Sequence, residues 1–265
     1  MTITSIAIDL DGTLFTQERD YDRARFARML EACEQRDIRV VIASGRQHLS
    51  MRTMFDEPDR LAFVGDNGSM VIDRDNEPVH AAVLDDDVVR RAVELLDQHP
   101  EMFTVASGPE GGWIQLAAPQ LMHDIMDTAY VNLARVESLR EIDGPVSKFA
   151  LVTHDGQAER LAAELSQALD GAVVPVTTGH RGIDLIDPRR HKADGLGYLM
   201  RRWDRRFEDM VAFGDSGNDV EMLRAAGTSY AMAEAQKVAV EAADRRAPSG
   251  AESGVMVVME ELLGL

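Results

Sequence analysis

Short apolar runs alternate with amphipathic helical patterns at both ends of the chain. Residues 3–8 form an apolar strand pattern, residues 21–35 an amphipathic helix, and residues 38–42 a second apolar strand. The alternation resumes with a helix at 193–203 and a strand at 210–213. Such alternation is typical of a parallel sheet with helices on both faces. We therefore predict an α/β fold with a doubly wound, Rossmann-like core.

The pattern changes between residues 82 and 188. From residue 102 onwards the order is strand, strand, helix, strand, helix, strand, strand, which indicates a self-contained α+β unit. We therefore predict a core domain made of residues 1–81 and 189–265, interrupted by an α+β cap domain at residues 82–188. This insert contains 7 Lys and Arg residues against 18 Asp and Glu residues.

Charge and composition exclude several classes of protein. The formal net charge is −18 and the chain has no long basic block, so we expect no nucleic-acid partner. No apolar stretch approaches the roughly 20 residues that a membrane helix needs, and we expect no membrane association. Cys33 is the single cysteine, and the first strand begins too early to leave room for a signal peptide. These features favour a cytoplasmic protein.

The run Asp9-Leu10-Asp11-Gly12-Thr13 follows the first apolar strand directly. In open α/β sheets, ligands bind where the carboxyl ends of the strands open into loops. The spacing of Asp9 and Asp11 can bring a carboxylate and a backbone carbonyl to one hard cation. A polar turn is the alternative, because Asp-Gly is a common turn dipeptide.

Three further sites lie at strand ends or helix starts. Ser44 follows the second strand and can offer its hydroxyl to an anion, although helix N-capping alone would explain it. Residues 214–219, with sequence GDSGND, follow a core strand. Lys192 stands at a helix start, where the dipole disfavours a cation, so either a bound anion or a solvated surface position explains it. Together with Asp9, these sites would supply a nucleophile, metal ligands, a phosphate-binding hydroxyl and a positive charge.

These motifs and their order resemble the haloacid-dehalogenase-like hydrolases, and more narrowly the Cof-type branch (type IIB, C2-capped phosphatases). The resemblance spans essentially the whole chain and includes the Asn67-Gly68 pair. It implies that Asp9 is the nucleophile and Asp11 the general acid and base. It further implies Mg²⁺ held by Asp9, the Asp11 carbonyl and Asp215, phosphate bound by Ser44, Gly45, Lys192 and Asn218, and orienting roles for Asp219 and Ser216.

The implied activity is Mg²⁺-dependent hydrolysis of a small phosphomonoester, such as a sugar phosphate, through an aspartyl-phosphate. The acidic cap is a poor surface for a second phosphate, which disfavours a bisphosphate-dependent mutase. A phosphomutase and a non-catalytic binding protein with this fold are the alternatives. Arg181, Lys148 and the loop 108–113 are candidate cap contacts, with a solvated surface role as the competing interpretation. The sequence makes no prediction of oligomeric state.

The histidines show no metal-ligand spacing, and we interpret them as surface or loop residues. They are His48, His80, His99, His123, His154, His180 and His191. His191 stands beside Lys192 and is the one histidine that merits a test.

Overall fold

The computed structural model describes residues 2–15, 20–153, 156–178 and 181–265. The chain divides into two compact units. The first contains Met1–His48, Arg52–His80 and His191–Leu265, and the second contains Leu49–Met51 and Ala81–Arg190. The cap limits at 82 and 188 stay a prediction. Arg189 belongs to the second unit, where its guanidinium donates to both carboxylate oxygens of Asp187 at 2.9 and 2.8 Å.

The secondary structure alternates as the sequence pattern indicates. The strands are β1 (Ser5–Ile8), β2 (Arg39–Ala43), β3 (Ala62–Gly65), β4 (Met70–Ile72), β5 (Pro78–Ala81), β6 (Phe103–Gly108), β7 (Gly111–Gln115), β8 (Leu133–Val136), β9 (Lys148–Val152), β10 (Val174–Thr178), β11 (Gly182–Ile186), β12 (Met210–Gly214), β13 (Thr228–Ala231) and β14 (Arg245–Arg246). The helices are α1 (Arg23–Gln35), α2 (His48–Thr53), α3 (Asp86–Leu96), α4 (Gln120–Ala129), α5 (Ala158–Leu169), α6 (Lys192–Trp203), α7 (Val220–Ala225), α8 (Lys237–Ala242) and α9 (Gly254–Leu263).

The first unit is built on a sheet with the order β14-β13-β12-β1-β2-β3-β4-β5. Strands β14 to β3 in this order pair in parallel, and β4 pairs antiparallel to β3. The central strand β1 lies between β12 and β2, with Ile8 opposite both Phe213 and Ile42. The carboxyl ends of these three strands therefore meet at one edge of the sheet. The predicted α/β core is confirmed.

Both faces of the central strands are covered by helices. On one face, alternate residues of β1, β2 and β3 join a buried cluster with Leu196 and Leu199 of α6 and with Met222 of α7. Elsewhere in this unit α1 packs against α9. Every residue of β1, β3 and β12 is buried. This explains why these strands read as continuous apolar runs rather than as alternating patterns.

The second unit contains a sheet with the order β10-β11-β9-β6-β7-β8. Its neighbouring strands pair antiparallel, except for the parallel pair β7 and β8. Phe149, Leu151, Ile183 and Leu185 lie in one buried cluster with apolar residues of α3 and α5. The unit is therefore an antiparallel-rich α+β layer, which differs in kind from the parallel sheet of the first unit.

Two histidines do not lie at the surface as the sequence interpretation expects. His48 and His123 are each 5% exposed, so this interpretation was wrong for both. His48 begins α2 and packs beside Gly65 of β3, and burial together with Arg52 lowers its pKa to about 4. His154 and His180 lie outside the described residues. Across the described ranges, no helix combines the length and apolar character that a transmembrane span requires.

Candidate active site

Asp9 lies where β1 ends, and its position is set by the sheet. Its backbone N–H donates to the carbonyl of Phe213 at 3.1 Å, which continues the pairing of β1 with β12 by one residue. The Asp9 side chain is buried among strands whose ends are apolar. Asp215 directly follows β12 at the same edge, so the register of these two strands brings both carboxylates together.

Lys192 is the first residue of α6 and is completely buried. Its ammonium donates to an oxygen of Asp9 at 2.6 Å and to an oxygen of Asp219 at 2.6 Å. The interpretation of Lys192 as a solvated surface lysine is therefore excluded. The N-cap of α6 is His191, whose Nδ1 accepts from the N–H of Asp194 at 3.0 Å. That capping bond accounts for the histidine beside Lys192.

Gly68 allows the start of α6 to approach the loop after β3. It has φ +104°, and a Cβ at this position would overlap the carbonyl oxygen of His191. Gly195, one turn into α6, faces Gly68 and Val64 at similarly close range. Glycine is suited to such sites because it tolerates positive φ and close backbone contact. These two glycines let α6 come close enough for Lys192 to reach Asp9.

Burial and neighbouring charges shift the pKa values of Asp9, Asp215 and Lys192. Burial raises the pKa of Asp9 well above its usual value, with Asp219 and Asp215 adding to the effect and Lys192 opposing it. Burial and the nearby Asp219 raise the pKa of Asp215 to about 6. Burial alone would lower the pKa of Lys192, but Asp219 and Asp9 outweigh it and raise the pKa. Lys192 is therefore held as a cation between Asp9 and Asp219.

Two oxygens of this cluster fit a divalent cation. Oδ2 of Asp9 and Oδ1 of Asp215 are buried and have no hydrogen-bond partner among the described residues. Asp9, Asp215 and Asp219 each offer a carboxylate oxygen within 4.8 Å of the others. A buried carboxylate oxygen without a hydrogen-bond donor lowers the stability of the folded protein unless a cation binds beside it. An all-oxygen donor set of this kind suits a hard cation such as Mg²⁺.

Asp219 has a different environment from the other two carboxylates. Its Oδ1 accepts from Lys192, and its Oδ2 accepts from the backbone N–H groups of Asp215 and Ser216 at 3.0 Å each. Ser216 and Asp219 form a capping box around the turn 217–219. Both oxygens of Asp219 are thus engaged in holding the loop and Lys192. This arrangement suits the orienting role predicted for Asp219 and Ser216 better than direct metal ligation.

Ser44 is buried after β2, and its Oγ accepts from the N–H of Arg46 at 3.2 Å. Helix α2 begins only at His48, so N-capping of this helix does not explain Ser44. The chain bends at the intervening Gly45 and Arg46 instead. As an acceptor in this bond, the Ser44 hydroxyl keeps its own proton for another partner, such as an anion.

Asn218 joins the loop after β12 to the loop after β3. Its side-chain amide donates to Oδ1 of Asn67 at 3.0 Å, and its Oδ1 accepts from Oγ of Ser216 at 2.8 Å. Asn67 also donates its backbone N–H to the carbonyl of Ser44 at 3.1 Å. A Cβ at Gly45 would lie 3.1 Å from Oδ1 of Asn67, which explains the small residue there. The described structure thus brings Ser44, Gly45 and Asn218 into one network.

Asp11 points to a different partner from Asp9. Both of its carboxylate oxygens accept from the guanidinium of Arg46, at 2.6 Å from Nε and 2.7 Å from Nη2. The Asp11 side chain is 47% exposed, in contrast to the buried Asp9. The two aspartates of the DLDGTL run therefore have separate environments, one enclosed and one open.

The two candidate residues from the second unit have partners within it. Lys148 is buried, and its ammonium donates to Asp184 at 2.8 Å. Arg181 is exposed and donates from Nε to the carbonyl of Thr153 at 3.2 Å. The solvated interpretation of Lys148 was wrong, because a paired lysine can be buried when a carboxylate compensates its charge. Contact of either residue with substrate stays a prediction.

Two residues of the network were not assigned from the sequence. Arg46 follows the predicted phosphate-binding residues Ser44 and Gly45, and its fork on Asp11 joins the loops after β1 and β2. Asn67 was noted as part of an Asn-Gly pair without a role. Its φ of 55° marks a special backbone position, which Asn tolerates better than most residues. That Asn-Gly pair was the available signal.

Comparisons with known proteins agree with the motifs. A family model described as haloacid dehalogenase-like hydrolase matches residues 6–259. The chain is 34% identical over 264 residues to the 5-amino-6-(5-phospho-D-ribitylamino)uracil phosphatase YbjI of Escherichia coli, covering 99% of this chain and 97% of the relative. It is 27% identical to the pyridoxal phosphate phosphatase YbhA of Escherichia coli, covering 89% of each chain.

A solved structure is similar over the full length. The structure of SMU.1108c from Streptococcus mutans has a TM-score of 0.92 and 29% identity, with 100% of both chains covered. The family model, the full-length relative and this structure agree with the motif order, and they confirm the resemblance to the Cof-type phosphatases. The chain belongs to the haloacid dehalogenase-like hydrolase family.

Proposed function

We propose that this protein is a Mg²⁺-dependent phosphatase that hydrolyses a small phosphomonoester through a phosphorylated Asp9. One observation carries the proposal: Oδ1 of Asp9 is paired with buried Lys192, while its Oδ2 is buried without a partner among the described residues. An unpartnered carboxylate oxygen beside a second one from Asp215 suits both a nucleophile and a metal ligand.

The reaction begins when a carboxylate oxygen of Asp9 attacks phosphorus and the bond to the leaving oxygen breaks. Asp11 donates a proton to that oxygen, and the product alcohol departs. Water then attacks phosphorus, Asp11 accepts its proton, and the bond between phosphorus and Asp9 breaks to release phosphate. The second step thus restores the proton on Asp11 and the free carboxylate of Asp9, so one turnover returns both residues to their starting states.

Positive charge is needed because the attacking carboxylate and the phosphate repel each other. At about 4 Å two unit charges repel by roughly 4 kcal/mol at an effective dielectric near 20. Mg²⁺, when bound by Asp9, the Asp11 carbonyl and Asp215, supplies charge that offsets this repulsion. Lys192 supplies a second positive charge, held in place by Asp219. Ser44, Gly45 and Asn218 bind the phosphate oxygens, and Asp219 and Ser216 keep the loop in shape.

We propose a monophosphate with a neutral or cationic leaving group as the substrate class. The inserted segment 82–188 has 7 basic against 18 acidic residues, which opposes a second phosphate. The relative YbjI is named for a phosphorylated ribitylaminouracil and YbhA for pyridoxal phosphate. Both compounds are monophosphates of small polar metabolites, and both belong in the first substrate panel together with sugar monophosphates. We further propose that the enzyme acts in the cytoplasm.

A phosphomonoester panel tests the proposal. We expect phosphate release that requires Mg²⁺ and stops when EDTA is added. Transfer of the phosphoryl group to a second hydroxyl, with dependence on a bisphosphate and little free phosphate, would indicate a phosphomutase instead. No Mg²⁺-dependent turnover across a wide panel would indicate a binding protein. In both of these cases the proposed hydrolase activity is wrong.

A further inference from the structure

The guanidinium of Arg46 donates hydrogen bonds to both carboxylate oxygens of Asp11. The two bonds, 2.6 Å from Nε and 2.7 Å from Nη2, are parallel and charge-assisted, which is the strongest geometry for such a pair. Most exposed ion pairs contribute little, but a bidentate arginine fork fixes orientation as well as distance. An aspartate that is 47% exposed on a loop would otherwise sample several rotamers. Arg46 therefore restricts where the Asp11 carboxylate points.

Arg46 can serve as a rigid support because its own backbone is held on both sides. Its N–H donates to Oγ of Ser44 at 3.2 Å, and its carbonyl accepts from the N–H of Asp66 at 2.9 Å. The loops after β2 and β3 thus fix the residue whose side chain fixes Asp11. The Arg46 side chain is only 18% exposed, and this burial together with the fork restricts its movement.

The fork fixes the direction in which the Asp11 carboxylate points for both of its proton transfers. Each carboxylate oxygen has two lone pairs, so Asp11 can accept a proton from water while both oxygens still accept from Arg46. A leaving group that needs no proton removes the donation step, so only the attack of water then depends on Asp11. We propose that Arg46 is a positioning residue that holds Asp11 as a proton acceptor for the attacking water. With such a leaving group, loss of Arg46 slows hydrolysis of the aspartyl-phosphate more than its formation.

This inference rests on the proposed function, and pre-steady-state kinetics tests it. With 4-nitrophenyl phosphate and Mg²⁺, nitrophenolate leaves without help from an acid. Arg46→Ala is expected to keep a fast burst of about one nitrophenolate per active site, followed by a steady state about ten- to a hundredfold slower than wild type. Arg46→Lys keeps the charge but cannot form the fork, and its steady-state rate is expected to lie between those of wild type and Arg46→Ala.

A double-mutant cycle separates positioning from other roles. In an Asp11→Asn background, adding Arg46→Ala is expected to change the rate by less than about twofold, because the coupled partner is already lost. Arg25→Ala is the matched control, since Arg25 forms a similar fork on Glu260 at 2.7 and 2.6 Å between α1 and α9. This control is expected to leave both kinetic phases unchanged. Circular dichroism confirms that each variant is folded.

Two results would contradict the positioning role of Arg46, and a third would contradict the proposed function. A burst that slows as much as the steady state, or an Arg46→Ala effect that persists in the Asp11→Asn background, would overturn the positioning role. Wild-type enzyme without Mg²⁺-dependent phosphate release would instead contradict the proposed function itself. The two failures are therefore distinguishable.

Discussion

The ammonium of Lys192 lies 2.6 Å from a carboxylate oxygen of Asp9, although 183 residues separate them in the chain. The contact joins the start of α6 to the end of the central strand β1, and Asp219 completes it from the loop after β12. Each of the three groups is almost fully buried. Because no single segment contains more than one of them, the site forms only when the parallel core is assembled.

Removing the Lys192 cation is expected to cost both stability and activity. Lys192→Met leaves Asp9 and Asp219 buried without their common partner, and breaking a buried pair in this way costs about 3–5 kcal/mol of unfolding free energy. Urea unfolding in EDTA measures the loss. Lys237→Met is the control, because Lys237 is an exposed partner of Glu241 and its loss should change stability by less than about 0.5 kcal/mol. Equal stabilities for the two variants would contradict the buried cluster.

Asp215→Asn is expected to stabilise the metal-free protein while removing its response to Mg²⁺. Burial and the nearby Asp219 raise the pKa of Asp215 to about 6. A raised carboxyl pKa favours the folded state below the unfolded pKa, and this advantage is lost as the pH rises through about 6. The amide side chain of the Asp215→Asn variant does not ionise, so near neutral pH the variant does not lose this stability. Thermal melts with EDTA and with Mg²⁺ measure both effects; an Mg²⁺-induced rise in the variant equal to that of wild type would contradict Asp215 as a ligand.

Mg²⁺ binding is expected to weaken in mild acid. Below about pH 6 a proton occupies the Asp215 carboxylate and competes with the cation. Calorimetric titrations at about pH 7.5 and about pH 5.5 should give a weaker affinity at the lower pH. Near pH 6 they should also show proton release that depends on the ionisation enthalpy of the buffer. An affinity that is constant across this range would contradict metal binding by Asp215.

Gly12→Ala is expected to displace Asp215 from its position beside Asp9, the other proposed carboxylate ligand of Mg²⁺. Gly12 has φ +86°, and a Cβ there would lie 2.5 Å from Oδ2 of Asp215. The backbone strain alone costs about 1–2 kcal/mol, and the clash must in addition displace Asp215. Gly171→Ala separates the two effects, because Gly171 has φ +73° but no atom within 4 Å of the added Cβ. Thermal melts in EDTA should give a lowered melting temperature for both variants. Added Mg²⁺ should raise the melting temperature of Gly171→Ala but not that of Gly12→Ala.

The sequence predicted the parts of the molecule that depend on local pattern. The buried strands β1, β2 and β12 were recognisable because central parallel strands are apolar on both faces. The carboxyl-edge position of Asp9 and Asp215 followed from those strands. Lys192 gave a signal through its unfavourable charge at a helix start, but its contact with Asp9 depends on the packing of α6 against Gly68, which no local pattern encodes.

The errors have a common physical origin. Ser44 looks like a helix cap from its neighbours, yet a bend separates it from α2 at His48. His48 and His123 were interpreted as surface or loop residues from residue type, yet both are buried. A solvated role was the competing interpretation of Lys148, which is buried against Asp184, 36 residues away in the chain. The fork of Arg46 on Asp11 likewise depends on two loops meeting, 35 residues apart in the chain. Tertiary contacts decide these features, and residue type predicts them poorly.

Identification of the phosphorylated residue tests whether Asp9 is the nucleophile. Wild-type enzyme is mixed with a radiolabelled phosphomonoester and Mg²⁺, quenched in acid within one turnover, and mapped by peptide mass spectrometry. We expect a Mg²⁺-dependent acyl phosphate on the peptide that carries Asp9, and neither label nor turnover in a folded Asp9→Asn variant. Label on another residue, or Mg²⁺-dependent phosphate release by Asp9→Asn at near the wild-type rate, would contradict it.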